Sequence, residues 1–185
     1  MRTRLIACCA LLSLFACLPM RAQEADRFTM SAAYSYLRLD TRSLGLTDYT
    51  STNGGLFELG MNFRPWLGAV ANVSANYGSG GGNKFRSFFV LVGPQVAYHR
   101  GRSTFLAHAL GGGARTAVSG LQATDTGKAW AVGGGYDFRL NHYWSVRVAQ
   151  ADYIRSNTFS TAQKDVRVSV GITLNFGRNL YRPSQ

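Results

Sequence analysis

Asp165-Val166-Arg167-Val168-Ser169-Val170-Gly171-Ile172-Thr173-Leu174-Asn175-Phe176 alternates without interruption. Val166, Val168, Val170, Ile172, Leu174 and Phe176 are apolar, whereas Arg167, Ser169, Gly171, Thr173 and Asn175 are not. Successive side chains of a β-strand point to opposite faces, so this segment has one apolar and one polar face. Roughly ten residues tilted by about 45° cross the hydrocarbon of a bilayer, and an apolar outer face backed by a polar inner one is what a transmembrane barrel strand requires. The stretch predicts such a strand.

The same period, read between turn signals, gives eight strands. They fall near Phe28 to Leu39, Leu56 to Arg64, Leu67 to Tyr77, Arg86 to Tyr98, Thr104 to Arg115, Lys128 to Leu140, Tyr143 to Arg155 and Asp165 to Phe176. Short connections (Pro65-Trp66, His99 to Ser103, Asn141-His142) alternate with long ones (Asp40 to Gly55, Gly78 to Phe85, Thr116 to Gly127, Ser156 to Lys164). Tight periplasmic turns and longer external loops are the asymmetry of outer-membrane barrels. The expected fold is therefore all-β: an eight-stranded antiparallel up-and-down transmembrane β-barrel. A soluble barrel of the lipocalin type shares the strand count, but it hides its large apolar groups inside.

The aromatic residues separate the two. Tyr36, Phe57, Tyr77, Phe88, Trp130 and Tyr153 stand toward the external strand ends. Phe28, Phe63, Trp66, Tyr98, Phe105, Phe138, Trp144 and Phe176 stand toward the periplasmic ends, and smaller residues such as Val90, Val92, Val168 and Val170 lie between. Sorting by height into two girdles suits a membrane wall and has no purpose in a core.

The opposite parity lines the lumen with small and polar residues, among them Gly60, Asn62, Gly68, Asn72, Ser74, Asn76, Gly133, Gly135, Thr173 and Asn175. Glu58, Asp137, Arg139, Arg147 and Arg167 share it, and charges in so narrow a space must be paired or hydrated. Height gives two expected pairs: Asp137 and Arg147, which flank one turn and should lie nearly opposite each other, and Glu58 and Arg167, which share the external half. Gln150 and Asp152 fall on the lipid parity, so a β-bulge near Ala149 to Ala151 is expected to return them inside. These charges are read as a structural plug.

Residues 1–22 combine basic Arg2 and Arg4, an apolar run from Leu5 to Leu18 and small Ala22, the pattern of a cleaved signal peptide. Cys17 in Leu14-Phe15-Ala16-Cys17 offers lipidation as the alternative. All three cysteines lie in this segment, so cleavage leaves no thiol for disulfides or redox chemistry. Residues 23–27 form a short N-terminal segment, 28–177 the barrel and 178–185 a periplasmic tail. The remaining chain has seventeen basic and nine acidic residues, a formal charge of +8. The basic residues are scattered singly, which speaks against nucleic acid and for a lipid surface. Lys84, Arg86, Arg115, Lys128, Arg155 and Lys164 stand near the external rim, where anionic headgroups lie.

Other apparent motifs carry no chemistry. Gly78-Ser79-Gly80-Gly81-Gly82-Asn83-Lys84 lacks the Gly before Lys and the Ser or Thr after it that a phosphate loop needs. Gly111 to Gly113 and Gly133 to Gly135 lie in adjacent strands and are read as permitting curvature. His99, His108 and His142 show no ligand spacing, and no metal or cofactor is expected. A lipid deacylase needs a His and Ser close together on the outer face, and Leu106 and Leu110 flank His108 where a Ser would stand.

Gly133-Gly134-Gly135-Tyr136-Asp137-Phe138-Arg139-Leu140, with Arg147, Gln150, Asp152, Tyr153 and Arg167 to Ile172, resembles the OmpA-like and OmpX-like outer-membrane β-barrels. Ser169, Gly171, Leu174 and Phe176 resemble the terminal-strand signal read by the barrel-assembly machinery. Only Gly177 to Gln185 follow, so the peptidoglycan-binding domain of larger OmpA-like proteins does not carry over. The resemblance implies a monomer in the outer membrane of a Gram-negative bacterium, among lipopolysaccharide and other outer-membrane lipids, with loops free for an extracellular partner. Its expected role is structural or adhesive, without turnover. A narrow passive pore, and after it a lipid-modifying enzyme, are the alternatives.

Overall fold

The computed structural model describes residues 26–39, 50–80, 83–118, 123–158 and 161–177. The expected signal peptide, Cys17, the tail beyond Gly177 and most of the first long loop lie outside the described residues. Eight strands follow in chain order: β1 Phe28–Leu39, β2 Thr50–Arg64, β3 Leu67–Gly80, β4 Asn83–Arg100, β5 Ser103–Val118, β6 Ala123–Arg139, β7 Trp144–Thr158 and β8 Thr161–Phe176. Each pairs antiparallel with the next, and β8 returns to β1 to close the barrel. At the seam Phe28 opposes Phe176, with their rings stacked 5.8 Å apart.

The register fixes the tilt. From Glu58 on β2, the paired row runs through Asn72, Leu91, Gly112, Ala129 and Ser156 to Gln163 on β8. In the other direction it runs through Ser31 to Thr173, ten positions further along β8. A stagger of that size on eight strands corresponds to a tilt of about 40° and an interior that side chains can fill.

Turn chemistry explains the short connections. Gly101 adopts φ +61°, a left-handed conformation that suits glycine. Between β6 and β7, Asn141 Oδ1 accepts the backbone N–H groups of Tyr143 (2.9 Å) and Trp144 (2.8 Å), so the turn spans Leu140 to Tyr143 and not only Asn141-His142. Pro94 has no N–H to give the β4–β5 ladder, and the pairing is interrupted between Val92 and Gln95.

Three of the expected long loops are much shorter than the sequence implies. β3 and β4 extend to Gly80 and Asn83, β5 and β6 to Val118 and Ala123, and β7 and β8 to Thr158 and Thr161. Strands of 12 to 18 residues exceed the 9–11 needed to cross the hydrocarbon, so these hairpins stand beyond it.

The wall is sided as expected. Among the described residues, 27 large apolar or aromatic side chains are exposed, far more than a water-soluble surface tolerates. They include every expected girdle aromatic except Phe28 and Phe138, which are half-buried. No helix among the described residues is long and apolar enough to cross a membrane; the strands do so.

Candidate functional site

The most organised chemistry lies inside the barrel, where inward positions of six strands converge. The expected bulge is present: Asp137 opposes Arg147 while Tyr136 opposes Ala149, which leaves Val148 as the extra residue. Val148 and Ala149 both face out, and Gln150 and Asp152 are thereby turned into the lumen. The bulge lies one residue closer to the N-terminus than the sequence placed it.

Arg147 is the first hub. Its guanidinium donates to both carboxylate oxygens of Asp137 (2.8 and 3.1 Å), to Gln150 Oε1 (2.7 Å) and to Glu58 Oε2. Glu58 Oε1 also accepts from Asn72 (2.7 Å) and Gln150 (2.9 Å). Arg167, fully buried, is the second hub. It donates to Asp152 Oδ2 from Nε (2.9 Å) and Nη2 (2.7 Å), and from Nη1 to Ser74 Oγ (2.7 Å) and Asn72 Oδ1 (3.4 Å). Gln150 donates to Asp152 (3.1 Å), and His108 Nε2 lies 2.8 Å from the other Asp152 oxygen. Glu58, Gln150, Asp152, Arg167 and Asn72 thus form a closed ring across the lumen. Three carboxylates face two guanidiniums, with every charge held by at least two partners, the condition under which buried ions persist.

Glycine makes room for this belt. A Cβ on Gly133 would overlap the Asp152 carboxylate and the Ala151 carbonyl of the neighbouring strand. One on Gly112 would collide with the Val90 carbonyl. Gly111, by contrast, faces open space.

Two expectations about the charges need correction. Glu58 and Arg167 do not pair; Asn72 stands between them, and each is satisfied by a closer partner, Arg147 and Asp152 respectively. Arg139 has inward parity but sits too near the turns to reach the belt, and it bridges Asp26 at 2.5 Å instead. Asp26 and Arg27 precede β1 and lie across that mouth, where Asn62 donates from its backbone and side-chain nitrogens to their carbonyls. A small cleft open to solvent lies there among Asn62, Gln95, His99, Arg139 and Asn175.

A lumen lined only by small and polar residues also proves incomplete. Leu37, Val70, Phe89, Leu91, Leu110, Ala114, Ala129, Ala131 and Ile154 form a buried apolar cluster within the barrel. On β1, β5 and β7 its members lie on the long-loop side of Ser31, His108 and Asp152, and on β4 they lie on the long-loop side of Gln95, whereas Val70 on β3 lies on the turn side of Asn72. From the turns outward the lumen therefore passes from a polar vestibule to a charged belt and then, Val70 apart, to an apolar tier. His108 was legible by parity but not by motif, because its partner Asp152 reaches the interior only through the bulge.

Of the expected assembly residues, Ser169 is buried in the lumen and Gly171 is half-buried beside it, while Leu174 and Phe176 share the outward parity of Ile172. Among the described residues no group of His, Cys, Asp and Glu is arranged to hold a metal ion.

No curated protein sequence matches this chain significantly. Solved structures do. Neisserial surface protein A (NspA) superposes with a TM-score of 0.70 at 13% identity, covering 83% of this chain and all of that one. Ail, the attachment invasion locus protein of Yersinia pestis, superposes with a TM-score of 0.56 at 16% identity, covering 82% of this chain and 99% of that one. At such identities the likeness concerns the fold. The outer membrane protein beta-barrel domain matches residues 7–180, nearly the whole sequence, and the chain belongs to that family.

Proposed function

We propose that this outer-membrane barrel is a closed, non-conducting scaffold that holds its long-loop hairpins at the cell surface for contact with other surfaces, and that it works as a monomer without turnover. The observation behind this reading is the belt of Glu58, Asp137, Arg147, Asp152 and Arg167, which sits directly beneath the apolar tier. An ion entering the lumen would have to break these pairs and then shed its water against Phe89, Leu91 and Ile154. Rigidity follows from the same contacts, since the belt ties β2, β3, β5, β6, β7 and β8 together. His108 uses its Nε2 on Asp152 inside the barrel, which leaves it unsuited to activate a hydroxyl at the lipid face.

Strands that continue past the bilayer would carry the hairpin tips clear of the headgroups. Ail shares this architecture and is named an attachment invasion locus protein, in keeping with a contact role. The test replaces only the tips, residues 119–122 and 159–160, with short Gly-Ser linkers, and measures adhesion of cells displaying the protein. Lost adhesion with an intact heat-modifiable barrel supports a contact role; unchanged adhesion points to a purely structural one. A narrow pore is the second reading, favoured by the solvent-open vestibule around His99 and Arg139.

A further inference from the structure

On five consecutive strands the outward series, read toward the long loops, ends in a basic residue. On β8 it runs Ile172, Val170, Val168, Val166 and then Lys164; on β6, Val132, Trp130 and then Lys128; on β4, Val92, Val90, Phe88 and then Arg86. Arg155 follows Tyr153 on β7, and Arg115 takes the corresponding place on β5. The register puts all five at one level. Arg155 lies directly opposite Lys164. Lys128 is diagonal to Arg155, whose direct partner is Trp130; Arg115 is diagonal to Lys128, whose partner is Gly113; Arg86 is diagonal to Arg115, whose partner is Phe88. Direct and diagonal neighbours on one face are about 5 and 7–8 Å apart, within reach of a single multivalent anion.

Among the described residues no carboxylate shares the outer face with this belt. The described acidic residues are Asp26 at the barrel mouth and Glu58, Asp125, Asp137, Asp152 and Asp165, all of inward parity. Among the described residues none of the five basic side chains is in an ion pair. Like charges directly opposite on adjacent strands destabilise a sheet, so the bare belt is a cost that a bound polyanion removes. Its height identifies the source of the anion. Trp130 and Tyr153, 6.0 Å apart, lie immediately below, and the Arg86 guanidinium rests 5.8 Å above the Tyr77 ring. Interfacial aromatics mark where headgroups begin, with the apolar wall of Val166 to Ile172 beneath them for acyl chains.

We infer that the outer wall of β4 to β8 binds a phosphorylated glycolipid of the surrounding leaflet, its phosphates bridging Arg115, Lys128, Arg155 and Lys164. This site is independent of whether the lumen conducts. The test refolds the protein in a zwitterionic detergent and titrates diphosphoryl lipid A, following tryptophan fluorescence and thermal unfolding. R115Q/K128Q/R155Q/K164Q and the milder K128Q/R155Q are compared with the unsubstituted protein, and R64Q/R100Q serves as the control at the other rim. Affinity should fall on the order of tenfold for each pair of charges removed, and R64Q/R100Q should bind normally. Without lipid, K128Q/R155Q should unfold at the same or a higher temperature than the unsubstituted protein, and the order should reverse once lipid A is present. Undiminished binding by K128Q/R155Q, or an equal loss in R64Q/R100Q, overturns the site. The same stabilisation by inorganic pyrophosphate, or by phosphatidylglycerol at matched charge, overturns the glycolipid assignment.

Discussion

Arg167→Met removes the most deeply buried charge in the barrel while keeping much of its apolar stem. In the folded protein that guanidinium is fully buried and makes two hydrogen bonds to Asp152 Oδ2 (2.9 and 2.7 Å) and one to Ser74 (2.7 Å). Its loss leaves Asp152, itself 1% exposed, with only His108 and Gln150, and a second carboxylate, Glu58, in the same network. Breaking a buried pair by removing one partner costs about 3–5 kcal/mol, so the folding equilibrium should shift by roughly two to four powers of ten. Removing both charges spares the orphan, and Asp152→Asn/Arg167→Met should recover most of the loss. Arg139→Met, whose guanidinium is partly exposed at the mouth while its partner Asp26 is buried, should cost less than Arg167→Met, about 1–2 kcal/mol. Reversible urea unfolding from lipid vesicles, read by Trp66, Trp130 and Trp144, measures all four proteins. An Arg167→Met barrel within about 1 kcal/mol of the unsubstituted one, or a double variant no more stable than the single, would refute the belt as a coupled unit.

Steric fit around the belt should show in Gly133→Ala, which drives a methyl into the Asp152 carboxylate and the Ala151 carbonyl and should cost about 1–3 kcal/mol in the same assay, whereas Gly111→Ala should be nearly neutral. Val170→Arg puts a charge in the middle of the lipid-facing series of β8 and should cost about 2–4 kcal/mol in vesicles. Deleting Val148 should be tolerated, because Arg147, Ala149 and Gln150 then alternate in, out and in, leaving Asp137 opposite Arg147. Deleting Val168 reverses the facing of half of β8, moves Arg167 toward lipid and should abolish the heat-modifiable folded form on gels.

What could be read from sequence follows from which faces touch which solvent. β8 was legible over its membrane-crossing length because Val166 to Phe176 separates lipid from lumen at every step. The β7 bulge was legible because Gln150 and Asp152 facing acyl chains would be too costly to leave there. Strand ends beyond the membrane were not: in Thr50 to Gly55 or Ala123 to Gly127 the ladder continues, but past the hydrocarbon the outward face no longer needs apolar residues and the period-two pattern disappears. The apolar tier stayed hidden for the opposite reason. Phe88 to Val92 is apolar at every position, so β4 shows no alternation although Phe89 and Leu91 point inward and Phe88, Val90 and Val92 outward. Parity placed Arg139 and Arg167 alike in the lumen. Only the register revealed that Arg139 stands at the mouth beside Asp26 while Arg167 stands within the belt.

Conductance of the purified protein across a planar lipid bilayer tests the closed lumen most directly. The account predicts a silent membrane at physiological salt, with the ion pairs of Arg147 and Arg167 and the Phe89–Ile154 tier intact. A steady, large, open channel from the unsubstituted barrel would contradict it.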